Sequence, residues 1–265
     1  MNPTLTRRLW HQITGVLVPI WLVAGLACVV MYRDSSFGPW LVVHLLLLGA
    51  VSTAILIWSQ HFADSLLKNT APGGRRWLGV RLAAHTVGAV LVVLGLTTAH
   101  WPVVLAGAIL VGGNAIVHAV ILVRQMHGAL PARFAPLVRY YIAASGCLVA
   151  GVTLGVLMAH PGSTLVGAGT AAAPGEYYER LYIAHLGLNL LGWVGLTVIG
   201  TVALLLPTVL HSRVLQTTVA ATKSTLPTLV AGLVILSAGS SSIFPAPAIP
   251  SNTTRPPGRT SWVAR

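Results

Sequence analysis

Long, continuous apolar stretches broken by short polar and basic turns set the pattern of this chain. The stretches run at 13–32, 40–62, 78–100, 103–123, 137–159 and 181–206, with a shorter one at 226–238. None alternates with a period of two, so the pattern is helical rather than stranded. About 20 residues at ~1.5 Å rise cross the ~30 Å hydrocarbon layer. Backbone inside lipid must satisfy its own hydrogen bonds, which leaves helices for runs of this kind. The pattern predicts an all-α integral membrane protein, a polytopic bundle of six or seven transmembrane helices. Pro39, Pro72-Gly73-Gly74, Trp101-Pro102, Pro131 and Pro136 punctuate the turns. Residues 1–12 form a basic flank. The first run is long for a signal peptide and continues through Cys28 to Tyr32, which predicts an uncleaved span. From 239 to 265 the chain turns abruptly to Pro, Ser, Thr and Arg, which predicts a disordered tail of the kind a truncation or frameshift leaves.

Composition agrees with the pattern. The chain is 55% hydrophobic and only 8% charged, where a soluble domain carries roughly 25% charged residues. The bilayer is therefore its expected solvent. The net charge of +12 would suggest nucleic acid in a soluble protein. Here the cations sit in loops, which fits orientation in a membrane and argues against a nucleic-acid partner. Arg7, Arg8, Lys68, Arg75, Arg76, Arg81, Arg124, Arg133, Arg139, Arg213 and Lys223 fall on one side; Arg33 and Arg180 fall on the other, tail excluded. The positive-inside rule predicts a cytoplasmic N-terminus in the plasma membrane. Cys28 and Cys147 both lie in apolar runs and read as packing residues.

Candidate chemistry rests on histidine. Asp34, Asp64, Glu176 and Glu179 are placed in loops or at span ends, which argues against a carboxylate-driven transporter. The topology puts His44 and His185 at one level near the outer side. It puts His85 and His118 at another near the inner side. Neutral imidazole binds iron or copper, and haem is commonly held between histidines on neighbouring helices. The alternative is hydrogen bonding within the helix bundle. At 100° per residue His185, Asn189, Gly192 and Gly200 share one stripe, and Gly107, Asn114 and His118 another. Small residues on such stripes admit a neighbouring helix or a flat macrocycle. Met31, Met158, His100 and His160 at the outer edge form a further candidate set for copper.

The segment His185-Leu-Gly-Leu-Asn-Leu-Leu-Gly-Trp-Val-Gly-Leu-Thr-Val-Ile-Gly-Thr resembles a histidine-led helix of proteins related to subunit I of haem-copper oxidases. It is also similar to segments of NnrS-type membrane proteins. His44-Leu-Leu-Leu-Leu-Gly49, with Trp58-Ser-Gln-His-Phe62, looks like the companion helix. The run from about 36 to 236 resembles the membrane region of actinobacterial proteins labelled copper oxidases, some fused to multicopper-oxidase or nitrite-reductase domains. This chain has fewer spans than subunit I and no adjacent histidine pair. The resemblance thus implies a haem- or copper-associated redox module, with His44 and His185 at the matching positions and a redox partner at the outer face. A non-catalytic membrane anchor or subunit is the alternative, and a small-molecule or metal transporter a third.

Overall fold

The computed structural model describes residues 12, 14–129, 135–160, 176–211 and 216–239. The tail beyond Gly239 and nearly all of the basic flank lie outside them. Seven helices appear among the described residues, with no strand: α1 Leu17–Met31, α2 Gly38–Leu67, α3 Gly74–Thr97, α4 Trp101–Gly128, α5 Ala135–Ala159, α6 176–209 and α7 Gln216–Gly239. Six of them, α2 to α7, are long and apolar enough to cross a membrane. The chain is a multi-pass helical membrane protein. Helix α1 has 15 residues, about 22 Å at the α-helical rise.

Several boundaries differ from the hydropathy reading, those of α2 and α7 among them. Helix α2 continues past Phe62 to Leu67 and ends where Lys68 takes a left-handed conformation (φ 49°). Asp64, expected in a loop, is therefore helical. Helix α7 begins at Gln216, well before Leu226. Its first turns are rich in Ser and Thr, whose hydroxyls bond back to the helix: Ser224 and Thr225 both donate to the Ala221 carbonyl. Such residues lower hydropathy without ending a helix.

Small residues set how closely the helices approach. Helices α3 and α4 are antiparallel, and their contacts pair Arg81 with His118, Gly88 with Val111, Val92 with Gly107 and Gly95 with Val104. A Cβ on Gly95 would lie 2.6 Å from the Val104 nitrogen, and one on Gly107 would lie 2.7 Å from the Val92 nitrogen. Each step up α3 is matched by a step down α4, so the same register sets His85 opposite Asn114. The positions 81, 85, 88, 92 and 95 repeat as four-three-four-three, the seam spacing of a coiled coil.

Helices α5 and α6 close in the same way. The His185 ring lies over Gly155, Asn189 over Gly151, Gly192 against Cys147, and Gly200 against Tyr140. The stripe read from the sequence on span six is thus the face that packs on α5, and close helix approach accounts for its glycines. Helix α1 docks through Trp21, whose ring fills the space a side chain on Gly49 of α2 would need.

Two helices are locally widened. Leu45–Val51 in α2 and Gly187–Gly195 in α6 are π-helical, each opening within two residues of a histidine, His44 and His185. Widened turns of this kind are uncommon and occur often at functional sites.

Candidate functional site

The two widened segments face each other across the bundle and are tied together. Buried Trp193 in α6 donates its indole N–H to the Ser52 hydroxyl at 2.9 Å, and Ser52 donates onward to the Leu47 carbonyl at 2.8 Å. Above this floor lies a cavity of about 430 Å³ between α2, α3, α4, α5 and α6. His44, His185 and Asn189 line it, with Trp40, Tyr178 and Tyr182 towards the end where α2 and α6 begin. Its walls are otherwise mostly aliphatic, including Leu48, Val111 and Leu148. The sequence placed His44 and His185 at one level; the structure brings both onto one cavity.

The hydrogen bonds define which ring nitrogens carry protons. His44 Nδ1 lies 2.8 Å from the Trp40 carbonyl, and His185 Nδ1 lies 2.8 Å from the Gly151 carbonyl. A carbonyl oxygen only accepts, so in both rings Nδ1 carries the hydrogen, and the Asn189 Nδ2 that lies 3.3 Å from His185 Nδ1 donates to the His185 carbonyl instead. The neutral ring then has a bare Nε2. Among the described residues neither Nε2 has a hydrogen-bond partner. Other contacts hold the rings in place. Trp40 stacks on His44 with centroids 4.0 Å apart, and Phe37 stacks on Trp40 at 4.8 Å. Gly155 leaves room for the His185 ring, and Asn189 donates to the His185 carbonyl at 2.7 Å.

His85 and His118 are placed differently. They sit one turn apart across the α3–α4 seam, both buried, and each is bonded within the protein. Arg81 can only donate, so its bond to His118 makes His118 Nδ1 an acceptor. His118 Nε2–H then donates to Ser59 at 2.9 Å, and Ser59 donates to the Ile55 carbonyl. Both nitrogens of His118 are occupied, leaving no lone pair for a metal. His85 Nε2–H donates to the Leu48 carbonyl at 3.0 Å, in the widened part of α2.

Sequence reasoning missed the network around His118. Arg81, counted there as a loop charge, is buried at 4% exposure between helices. Its guanidinium donates to His118 and to Gln60 Oε1 at 3.3 Å. Gln60 Nε2 donates to Asp64 at 3.0 Å and to Gln125 Oε1 at 2.8 Å, while Gln125 Nε2 donates to Asp64 at 2.7 Å and to the Asn69 carbonyl at 2.8 Å. Arg81 and Asp64 are thus linked through the side-chain amide of Gln60. The signal was available as Gln60 inside one apolar run, Gln125 just beyond the end of another, and Arg81 one turn before His85.

Of the outer-edge candidates, Met158 lines the cavity. His160 packs edge-on against Trp101, His100 Nδ1 meets the Thr98 carbonyl, and Met31 is exposed. Among the described residues no group of three His, Cys, Asp or Glu is gathered as a metal site. The donor set in the cavity is two imidazoles. Comparison with protein-family models, with curated proteins and with solved structures finds no match to this chain.

Proposed function

We propose that this protein is a haem-binding redox module of the cell membrane, in which His44 and His185 would hold the haem iron. The observation that carries the reading is the pair of imidazoles on one apolar cavity, each locked by an Nδ1–H bond to a backbone carbonyl with Nε2 bare. Such outer bonds fix the tautomer and raise the basicity of the ligating nitrogen. A macrocycle brings four nitrogens of its own, so two protein ligands suffice for haem. A copper ion held by the protein alone would need more, and Met158 is the one soft donor beside the pair.

A bound haem would supply a one-electron couple. The chain's own part is to orient two rings through Trp40 and Gly151, keep His185 clear through Gly155, and surround the centre with aliphatic walls that limit water. The loop charges orient the bundle with the N-terminus cytoplasmic. The cavity end then faces outwards, where a partner protein would exchange electrons.

The test is optical and metal analysis of the full chain purified in detergent after expression with haem and copper supplied. A Soret band with stoichiometric iron is expected, lost or shifted in His44→Ala and His185→Ala. Stoichiometric copper without a Soret band would replace haem with copper. Clean folded protein with neither would overturn the redox reading in favour of a membrane anchor or subunit.

A further inference from the structure

Beneath the cavity floor, a layer about two helical turns deep holds buried polar atoms without a hydrogen-bond partner among the described residues. They include His85 Nδ1, both side-chain polar atoms of Asn114, the Thr53 hydroxyl and the Nε–H of Arg81. All four residues are more than nine-tenths buried. The pairings on either side, Arg81 with His118 and Gly88 with Val111, put His85 and Asn114 opposite one another. Thr53 lies two turns before Gln60 on the same face of α2, and Gln60 meets Arg81. His85 is bonded to the carbonyl of Leu48, which itself lines the cavity.

An unpartnered buried polar group costs about 1–3 kcal/mol. Several within one such layer call for a ligand, and their chemistry limits what it is. Since Nε2–H of His85 donates to Leu48, its Nδ1 is an acceptor. Arg81 Nε–H is a donor, Asn114 offers both functions, and Thr53 can act either way. A simple anion would be repelled by the His85 lone pair. A cation would be repelled by Arg81. The inventory fits a small neutral molecule that both donates and accepts.

We infer that ordered water occupies this layer and links the Arg81 network to the underside of the cavity. Buried water of this kind takes two to four hydrogen bonds from otherwise unpaired groups. With Gln60, Gln125 and Asp64, the layer makes a polar column from the Asp64 end of the bundle to the cavity floor. The column gives chemistry in the cavity a polar route to that end; this consequence rests on the redox reading, while the water site does not.

His118 provides an internal control, since it is equally buried but has both nitrogens bonded to protein. Hydroxyl-radical footprinting of the full chain in lipid nanodiscs, read by mass spectrometry, labels buried side chains that touch ordered water. His85 is expected to be oxidised several-fold faster than His118, with the difference removed by Asn114→Leu. Equal protection of both would overturn the inference. A high-resolution density map of the unaltered protein supplies the second measurement: solvent density within hydrogen-bond distance of His85 Nδ1 supports the water site, and a direct Asn114–His85 bond with no solvent density overturns it. Neither measurement depends on haem, so failure here is distinguishable from failure of the redox reading.

Discussion

The position of a single hydrogen decides what each histidine can do. His44 and His185 carry it on Nδ1, donate it to a carbonyl and keep Nε2 bare. His118 carries it on Nε2 and spends the other lone pair on Arg81. The same residue type is a ligand candidate in one place and a structural acceptor in the other. Gly151 supplies the carbonyl for His185, and a Cβ there would meet Asn189 at about 2.5 Å. Gly151→Ala should therefore cost about 1–3 kcal/mol through overpacking and disturb any His185-dependent Soret band. Gly146 on the same helix has open space around its Cβ position. Gly146→Ala should be neutral or stabilise by up to ~1 kcal/mol through helix propensity. Thermal unfolding of both variants in one detergent checks the contrast. Ser52→Ala should also destabilise, by about 1–3 kcal/mol, because it leaves the buried Trp193 N–H without an acceptor.

Helices meet here along seams rather than through large apolar knobs. Lipid is as apolar as a leucine side chain, so close packing and interhelical hydrogen bonds must hold the bundle together. The α3–α4 seam divides its length between the two: Gly88, Gly95 and Gly107 bring backbones close in one half, while Arg81, His85, Asn114 and His118 fill the other. Gly107→Leu should force α3 and α4 apart and lower the unfolding temperature more than Gly113→Leu, whose Cβ position on the same helix is open. In the polar half, Arg81→Met alone strands acceptors on His118 and Gln60. A double-mutant cycle of Arg81→Met with His118→Leu should show a coupling of about 0.5–3 kcal/mol, since the two residues share one network. Additive effects would mean that the bond contributes little.

Across the whole molecule, the polar network and the cavity occupy opposite halves of the bundle. The network lies where α2 and α4 end and α3 begins; the cavity opens where α2 and α6 begin. In the orientation proposed from the loop charges, the network half faces the cytoplasm. Single cysteines at Arg124 and Thr98, at opposite ends of the α3–α4 pair, test this in intact cells with Cys28 and Cys147 replaced by alanine. An impermeant thiol reagent should label the Thr98 position and not the Arg124 position. The reverse labelling would invert the protein and turn the cavity inward.

The apolar runs by themselves determined the class and most helix positions, because a span needs only length and hydropathy. The repeating small and polar positions also marked packing faces in advance: the stripe of His185, Asn189, Gly192 and Gly200 is the face that meets α5. Hydropathy could not reveal that Arg81 is buried and that Asp64 bonds to the same interhelical network, since a charge near a span end has the same average whether it faces solvent or a neighbouring helix. Nor could it show that His44 and His185 share a cavity while His118 is fully bonded. Depth along a helix is local, but partnership depends on how helices rotate and pack, and only the tertiary structure decides which lone pair is left free.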